Sequence, residues 1–372
     1  MQSKKTLKLG IVAGEHSGDR LGAEIIQALK STYNIELFGV GGPRISQEGL
    51  KSEFDFNKLH VMGLIEPLIN IRELTRLRKE LINLFLDKQV DYFVGVDSPD
   101  FNMSIHKALK KRSTSKNIQL VSPSVWGWRE NRIKSIKKYI DLTVCLFNFE
   151  HNYYKKKEMN SIHLGHPFSE MYSSDNELVI NKYNLDGRKK FMAVLPGSRK
   201  SEIKNMLPTY ISFMKQHHTK YPEYTYLIPV ADKSTMEYIQ TNFSFEDLPI
   251  IIDINCSKDF LSISKLSVVT SGTATLEAAI LGAEPIICYK TAALNYFIIS
   301  RMLKVNDVGL PNLLLDSRQF PELIQKACTA QSILQEAEII QARDSNDMIV
   351  NKLRNLLRGK GREEVVKRIS LL

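Results

Sequence analysis

The chain has 372 residues, of which 43% are hydrophobic and 25% are charged. This length allows two domains with separate cores, and this composition excludes a disordered or fibrous protein. The 51 basic residues against 41 acidic residues leave a net charge of +10, which favours an anionic partner without distinguishing nucleic acid, a nucleotide and a bilayer surface.

The sequence shows neither a signal peptide nor a membrane-spanning segment, which narrows the class of protein further. The first residues, MQSKKTLKLGIVAG, hold a short apolar strand that enters a glycine turn, so we expect no signal peptide. No apolar run approaches the roughly 18 residues of a membrane span, so we expect a cytoplasmic protein that crosses no membrane. The four cysteines include no Cys-x-x-Cys pair, and we predict that they are reduced core residues: Cys145, Cys256, Cys288 and Cys328.

Strand and helix patterns alternate along both halves of the chain. The first half shows apolar strand-like runs at LKLGIVAG, IELFGV, DYFVGVDS, IQLVSP and DLTVCLF. The second half shows them at FMAVLPGS, YTYLIPVA, PIIIDIN, LSVVTSG and EPIICYK. We therefore predict an α/β fold with two doubly wound, Rossmann-like parallel-sheet domains facing a central cleft, and a wholly helical segment after residue 320.

The polar segment 166–190 marks the boundary between the two halves, because it lacks a sustained apolar period and contains a proline and a glycine. We predict an N-terminal domain at 1–170, a second domain at 171–345, and a helical tail at 346–372 that crosses back to the first domain. Ligands of open α/β sheets bind beyond the carboxyl ends of the strands, so the strand-to-helix turns are the candidate sites.

The first of these turns is VAGEHSGD, residues 12–19. Its two glycines would let the backbone approach a ligand, while Ser17 and Asp19 would cap a helix that begins near Leu21. Glu15 and His16 would then point into the cleft, and this turn would form the floor of a ligand site.

An apolar cluster comes directly before the helical pattern at 68–86. That helix has an apolar stripe beside several arginines, and the stripe is most simply a core-facing one. The preceding cluster exceeds what one stripe needs, and the flanking charges suit anionic headgroups, so we predict peripheral membrane contact. The predicted contact residues are Val61, Met62, Leu64, Ile65, Arg72 and Arg76.

Two further turns of the first half carry polar or aromatic residues. GVDSPDF places Asp97 and Asp100 at a strand end, where either could be a catalytic carboxylate or a cap for the following helix, the cap being favoured for Asp100. SPSVWGWRENR holds Trp126 and Trp128, which either pack on the domain or line a ligand surface; composition favours packing. No carboxylate or histidine cluster has metal-ligand spacing, so we predict a metal-independent site.

Two turns of the second half suit phosphate. In VLPGSRKSEI, Gly197 and Ser198 precede a probable helix whose start would offer unpaired N–H groups, and Arg199 supplies a fork of donors. In VVTSGTATLEA, small residues leave room for a pyrophosphate, and Glu277 could accept hydrogen bonds from a ribose: the small residues are Ser271, Gly272, Thr273 and Ala274. No P-loop motif is present, and the two turns together predict a nucleotide-diphosphate site.

Nine stretches of the chain resemble the lipid-A-disaccharide synthase family, in the order in which that family has them. They are VAGEHSGDRLGA, FGVGGPRI, VMGLIEPL, VGVDSPDFN, VSPSVWGWR, GHPF, LPGSRKSEI, SGTATLEA and GLPNLLL. The resemblance implies two domains of the GT-B type and an inverting glycosyltransferase that needs no metal and no cofactor. It implies UDP-2,3-diacylglucosamine as donor and 2,3-diacylglucosamine 1-phosphate (lipid X) as acceptor, giving the β-1,6-linked lipid A disaccharide 1-phosphate and UDP at the cytoplasmic face of the inner membrane.

The resemblance also implies roles for individual residues. Asp97 and Glu15 would be catalytic and face the sugars, and Asn312 would lie near the UDP. The residues that would hold the UDP are Arg199, Ser271, Gly272, Thr273 and Glu277. The other candidate substrate-binding residues are Ser17, Asp100, Trp126, Gly197, Ser198, Glu202 and Ala274.

The chain departs from the family pattern at His16, Gly127 and Asn148. His16 matters most, because a titratable ring beside Glu15 could be a base, an oxyanion donor or only a turn residue, and the turn residue is favoured. One alternative function is another UDP-sugar enzyme on the same scaffold, such as a UDP-N-acetylglucosamine 2-epimerase. A second alternative is a non-catalytic nucleic-acid-binding protein, which the absence of interleaved aromatic and basic residues disfavours. The chain is expected to be a monomer or a homodimer.

Overall fold

The computed structural model describes residues 4–56, 59, 71–126, 130–290, 307–344 and 346–372. The chain divides into two compact units. Unit 1 contains Met1–His166 together with Arg358–Leu372, and unit 2 contains Pro167–Leu357. Each unit is built around one six-stranded sheet in which all described strand pairs are parallel.

The sheet of unit 1 has the order β2-β1-β3-β4-β5-β6. Its strands are β1 Thr6–Ala13, β2 Asn34–Val40, β3 Tyr92–Val96, β4 Lys116–Leu120, β5 Leu142–Cys145 and β6 Ser161–His163. The helices are α1 His16–Lys30, α2 Pro43–Gln47, α3 Ile71–Lys88, α4 Pro99–Arg112, α5 Ile133–Tyr139 and α6 Asn148–Lys156, with a 3₁₀ turn at Glu130–Arg132. The core between sheet and helices includes Leu81 and Phe85 of α3, Phe93 of β3 and Ile105 of α4, each 1% exposed or less.

The sheet of unit 2 has the order β12-β11-β10-β7-β8-β9. Its strands are β7 Lys190–Leu195, β8 Tyr224–Val230, β9 Ile250–Ile254, β10 Leu266–Thr270, β11 Glu284–Tyr289 and β12 Glu322–Ile324. The helices are α7 Asn176–Lys182, α8 Lys200–Lys220, α9 Lys233–Asn242, α10 Ser257–Ser262, α11 Thr273–Leu281, α12 Leu310–Leu315, α13 Ala330–Ala342 and α14 Asp347–Leu357, with 3₁₀ turns at Pro167–Glu170 and Gln325–Ala327.

The last helix, α15 at Gly361–Ser370, packs on unit 1. Its Ser370 Oγ accepts a hydrogen bond from Tyr33 Oη at 2.8 Å, and its Arg368 donates to Asn160 Oδ1 at 2.8 Å. Three apolar side chains of α15 are buried: Val365, Val366 and Ile369. The preceding helix α14, which the sequence prediction grouped with the tail, belongs to unit 2.

The predicted α/β class with two doubly wound parallel sheets and a C-terminal helix is confirmed. The prediction that the chain is wholly helical after residue 320 is wrong, because β12 adds an edge strand at Glu322–Ile324. The four cysteines are buried and free, as predicted. Within the described ranges, no helix combines the length and the apolar character needed to cross a bilayer.

Candidate active site

Each sheet has one point where the strand order reverses, and this is where ligands of open α/β sheets bind. In unit 1 the chain passes from β1 to β2 in one direction and then continues from β3 on the other side of β1, so the reversal lies between β1 and β3. In unit 2 the same reversal lies between β7 and β10. Ligand-binding residues are therefore expected at the carboxyl ends of these four strands.

Glu15 and Asp97 come together at the reversal point of unit 1. They follow β1 and β3, which are hydrogen-bonded neighbours. The two turns lie close, since a Cβ added to Gly14 would be 3.3 Å from Ser98 Oγ. The pKa of Asp97 is raised above its usual range, first by burial and then by the negative charge of Glu15, while a backbone hydrogen bond from Ser98 opposes the rise.

The helix that follows Glu15 starts earlier than the sequence predicts. α1 begins at His16, ahead of Ser17 and Asp19, and its N-cap Glu15 makes no side-chain capping bond. The prediction that Ser17 and Asp19 cap this helix is therefore wrong. The Asp19 carboxylate is 1% exposed and accepts three backbone N–H groups at the start of α2, at 2.8 to 3.0 Å, from Gly42, Arg44 and Ile45.

The other residues of this turn have different surroundings. His16 is exposed, and its ring packs edge-on against Phe56 with 5.2 Å between centroids. Ser17 is exposed on the first turn of α1. Gly18 has a packing role, because a Cβ there would lie 3.1 Å from Val96 Cγ1. Its small size allows α1 to pack closely against the end of β3. Among the turn residues, Glu15 is the carboxylate beside Asp97.

The turn after β3 is strained in a way that the sequence does not reveal. Asp97 has φ +48° and Ser98 has φ +37°, a left-handed conformation that is uncommon for residues with side chains. Ser98 is the N-cap of α4 and makes no side-chain capping bond, so neither aspartate caps this helix. Asp100 lies in the first turn of α4, and its carboxylate pairs with Arg132.

Trp126 lies in an aromatic cluster near the ends of β4, β5 and β6. Its ring packs edge-on against Phe149 at 4.7 Å, and Phe147 stacks between Phe149 at 5.6 Å and His166 at 5.3 Å. These contacts agree with the packing interpretation of Trp126. Its indole Nε1 donates to Glu150 Oε1 at 3.3 Å.

Glu150 is a buried carboxylate close enough to feel the charge of Asp97, and sequence reasoning did not single it out. It is 5% exposed, and its second oxygen accepts a hydrogen bond from Phe147 N at 3.3 Å. Burial raises the pKa of Glu150 to about 8 and the charge of Asp97 adds to the rise, although hydrogen bonds from Phe147 and Trp126 oppose it. In the sequence, Glu150 ends the stretch NFE at residues 148–150, which begins with the departure from the family pattern at Asn148.

At the reversal point of unit 2, β7 leads into the Gly197 turn. Gly197 has φ +115°, and a Cβ there would lie 2.7 Å from Glu202 Cβ, so both the backbone and the space require glycine. Glu202 Oε2 accepts the N–H groups of Ser198 at 3.1 Å and of Arg199 at 3.3 Å. The prediction that this helix start offers unpaired N–H groups is therefore wrong for these two residues. The Arg199 guanidinium is 54% exposed and lies 3.7 Å from Glu202 Oε1.

The second turn at this point follows β10 and begins α11. Gly272, Thr273 and Ala274 are exposed or half-buried, and nothing lies closer than 4.0 Å to a Cβ added at Gly272. The first N–H groups of a helix have no partner within it, so this start remains suited to an anion. Glu277, one turn later, accepts a hydrogen bond from Ser257 Oγ at 3.1 Å, and burial raises its pKa.

Asn312 lies on α12, and its side chain holds the loop that follows this helix. Its amide nitrogen donates to Phe320 O at 2.9 Å and to Glu322 Oε1 at 2.8 Å, and its oxygen accepts the N–H groups of Gln319 and Phe320 at 3.0 Å. All four hydrogen-bonding positions of the side chain are therefore used by the protein itself. Glu322, which accepts from Asn312, also accepts the N–H groups of Val308 and Gly309. Ser271 Oγ of the α11 turn donates to Val308 O at 3.4 Å.

Several predicted residues lie outside the described part of the chain. The apolar membrane-contact residues are among them, as are the second tryptophan and its neighbours: Val61, Met62, Leu64, Ile65, Gly127, Trp128 and Arg129. Arg72 and Arg76 are described and are exposed on α3, where Arg76 pairs with Glu80 at 2.8 Å.

Unit 2 also has a groove of about 700 Å³ at the opposite edge of its sheet, at the amino ends of β7 and β8. Its lysines already have partners, since Lys190 pairs with Glu223, and Lys265 donates to two carbonyl oxygens of the chain. Because this groove lies away from the reversal point and its lysines already have partners, we assign no ligand to it. In the described ranges, no three His, Cys, Asp or Glu side chains are grouped so that they could hold a metal ion.

Solved structures of low sequence identity share this fold. The UDP-GlcNAc 2-epimerase of Methanocaldococcus jannaschii, in complex with UDP-GlcNAc and UDP, is 14% identical with a TM-score of 0.61, and the match covers 98% of this chain and 100% of that one. The spinosyn rhamnosyltransferase SpnG is 10% identical with a TM-score of 0.59 and the same coverage. Both likenesses agree with the predicted GT-B class.

Sequence comparison identifies the family within that fold. The family model described as lipid-A-disaccharide synthetase matches residues 9–370. The lipid-A-disaccharide synthase of Alcanivorax borkumensis is 37% identical over 337 residues, which are 90% of this chain and 88% of that protein. The chain therefore belongs to the lipid-A-disaccharide synthase family of glycosyltransferases.

Proposed function

We propose that the protein joins UDP-2,3-diacylglucosamine to 2,3-diacylglucosamine 1-phosphate, forming the β-1,6-linked lipid A disaccharide 1-phosphate and UDP. The observation that carries the proposal is the different chemistry of the two reversal points. Unit 1 has paired carboxylates, Glu15 and Asp97, which suit proton removal. Unit 2 has Arg199 and an open helix start, which suit a diphosphate.

In this proposal Asp97 is the general base. It takes the proton of the acceptor 6-hydroxyl while that oxygen attacks C1 of the donor sugar. The bond between C1 and the phosphate oxygen breaks, and its electron pair leaves with UDP, so a single displacement inverts the configuration. The raised pKa of Asp97 supports this role, because a base takes a proton more readily as its pKa approaches the working pH. The charge of Glu15 helps to maintain that raised pKa.

The donor nucleotide is assigned to unit 2. Arg199 would neutralise the diphosphate, whose charge grows as UDP leaves, and the first turn of α11 would bind a phosphate through its N–H groups. Glu277 would accept hydrogen bonds from the ribose. Glu202 and Asn312 would act on the protein instead, the first by ordering the turn that carries Arg199 and the second by holding the loop beside Ser271.

We also propose peripheral binding to the anionic cytoplasmic surface of the inner membrane, because both substrates carry acyl chains. Arg72 and Arg76 on α3 are exposed and suit anionic headgroups. The combined change Met62→Ser with Ile65→Ser should weaken co-sedimentation with anionic liposomes, as should high salt. Unchanged co-sedimentation of that variant would remove this part of the proposal.

The experiment that tests the function is mass analysis of the product. The purified protein is given a UDP-diacylglucosamine and a diacylglucosamine 1-phosphate, with no added metal. A product whose mass equals the combined mass of donor and acceptor minus the mass of UDP supports the proposal. An isomer of the donor with unchanged mass, and no use of the acceptor, would instead indicate a 2-epimerase.

A further inference from the structure

The main-chain carbonyl of Asp97 is held by two buried amide side chains. Asn102 Nδ2 of α4 and Gln119 Nε2 of β4 each donate to Asp97 O at 3.0 Å. Both amides are 1% exposed or less. Asp97 N, in turn, donates to Leu120 O at 2.8 Å. Three contacts from two neighbouring elements therefore fix both ends of the residue that carries the carboxylate.

The orientation of the Gln119 amide is forced by its surroundings. Nε2 also approaches the carbonyl oxygens of Leu120 at 3.3 Å and Val121 at 3.2 Å. Carbonyl oxygens only accept, so the amide nitrogen must face them and Oε1 must face His106 Nε2, 3.1 Å away. His106 therefore donates from Nε2. Burial lowers the pKa of His106 to about 4, which leaves the ring neutral with its one proton on that nitrogen.

The space around these side chains is filled, which prevents them from adopting other arrangements. A Cβ added to Gly95 of β3 would lie 2.9 Å from Asn102 Cγ and from His106 Nε2. Asn117, two residues before Gln119, donates to His106 O and to Tyr139 O at 2.8 Å. We call Asn102, His106, Asn117 and Gln119 the amide cluster.

The amide cluster is a costly arrangement for a protein core. Within the described part of the chain, three of its buried acceptors have no hydrogen-bond partner: His106 Nδ1, Asn102 Oδ1 and Asn117 Oδ1. Each such atom loses its hydration without compensation, and an apolar core of the same shape would avoid that loss. The cluster lies against the strand end where two successive non-glycine residues, Asp97 and Ser98, have left-handed backbone, a pair that occurs nowhere else in the described ranges. Stability alone does not explain it, whereas maintaining that turn does.

We propose that Gln119 and Asn102 are positioning residues for Asp97, which hold the left-handed turn so that the carboxylate stays aimed at the acceptor. This inference rests on the proposed function, because it takes Asp97 to be the base. It adds residues on β4 and α4 that need not touch either substrate.

The test is a double-mutant cycle between Gln119→Met and Asp97→Asn. Methionine keeps the volume of Gln119 and removes its donors. Gln119→Met should lower turnover by roughly 10- to 100-fold, the scale of a displaced catalytic group, with unchanged affinity for UDP. In the Asp97→Asn background the same change should cost nothing further, because no base remains to be positioned. A structural defect would lower turnover by the same factor in both backgrounds.

Asn117→Leu is the matched control. It removes a buried amide of the same strand for which no contact with Asp97 is found, so it should lower the unfolding midpoint as Gln119→Met does while lowering turnover far less. If Gln119→Met does not fold, Asn102→Ala removes the second donor and enters the same cycle.

Wild-type turnover of a folded Gln119→Met, or an equal loss in both backgrounds, would overturn this inference alone. Full turnover of Asp97→Asn by itself would overturn the proposed base and this inference together. The two failures are therefore distinguishable.

Discussion

The two reversal points of this protein have the same topology and opposite chemistry. At β1 and β3 the turns present carboxylates over a buried polar cluster, and at β7 and β10 they present small residues, an arginine and a helix start. Parallel sheets bring strand ends together in both units, but the residues placed there decide what the edge can bind. The comparison shows that topology locates a site while the hydrogen bonding of its charged groups defines its role.

Asp97 and Glu202 make this contrast specific. Glu202 accepts two backbone N–H groups and orders the turn before α8, which uses its acceptor capacity for structure. The Asp97 carboxylate is half-buried beside the charge of Glu15, with one opposing backbone hydrogen bond from Ser98, and its pKa is raised. A carboxylate that must take a proton benefits from few donors, whereas one that orders a loop benefits from several.

The largest expected effect comes from Asp97→Asn. Asparagine keeps the size of the side chain but cannot take a proton, so turnover should fall by about 10² to 10⁴, the usual contribution of a positioned base. UDP affinity, measured by titration calorimetry, should stay within twofold. Asp100→Asn is the matched control because it removes an exposed carboxylate of the same turn that pairs with Arg132, and its turnover should fall far less. Equal losses in the two variants would contradict the division of roles.

The next effect is expected at the other reversal point. Arg199→Ala should lower turnover by roughly 10² to 10³, because a charge-assisted contact to the leaving diphosphate is lost in the transition state as well as in the complex. Its UDP affinity should fall too, which distinguishes it from Asp97→Asn. Arg188→Ala removes a more exposed arginine of unit 2 and should leave both quantities unchanged. Near-normal turnover of Arg199→Ala at saturating donor would exclude the assigned contact.

The sequence predicts the strands at both reversal points because buried parallel strands read as continuous apolar runs. It does not reveal β6 and β12, which are three residues each at the sheet edges, with segments SIH and ELI too short to show any period. The strand ends at the reversal points are therefore predictable, as are the edge strands β2 and β9, while the three-residue edge strands β6 and β12 are not.

The partners of the polar residues are less predictable, because they are distant in sequence. Asp19 bonds to Gly42, Arg44 and Ile45, and no local pattern indicates that contact. Asn312 resembles a free amide in GLPNLLL until the fold supplies all four of its partners. Local motifs therefore indicate which residues are unusual, and only tertiary structure separates those that bind ligands from those that hold loops.

Glu150 provides a smaller test of how burial controls the carboxylates of unit 1. Its pKa is raised to about 8 from an ordinary value near 4.5, so between these limits the folded state keeps a proton that the unfolded chain has lost. Stability should therefore fall as pH rises through that window, by up to about 1.4 kcal/mol per pH unit, or tenfold in the folding constant. The other charged and titratable groups that interact with Glu150 are Asp97, Cys145 and Tyr154.

Denaturant unfolding of wild type and Glu150→Gln across this pH window measures the effect. The glutamine cannot ionise, so the difference in unfolding free energy should shift in favour of the variant as pH rises. The glutamine side chain has one oxygen where glutamate has two, so it can accept from only one of the N–H groups of Trp126 and Phe147. The lost hydrogen bond lowers the unfolding free energy of the variant by an amount that does not depend on pH. Glu158→Gln, an exposed glutamate just after the same helix, should show no such trend. A constant difference between Glu150→Gln and wild type would mean that Glu150 is ionised throughout.

The smallest effect is expected for His16→Ala, next to the proposed catalytic pair, Glu15 and Asp97. His16 is exposed, and its ring packs against Phe56, so the alanine should remove an edge-on aromatic contact and leave Asp97 and Glu15 in place. Turnover should therefore fall by much less than tenfold, measured at saturating concentrations of both substrates. Comparison of pH–rate profiles provides a second readout, because the profile of the variant should keep the shape of the wild-type profile if His16 is not the base. If His16→Ala abolished turnover while Asp97→Asn remained active, the imidazole would be the base, and the carboxylate edge of unit 1 would have to be reinterpreted as a binding surface.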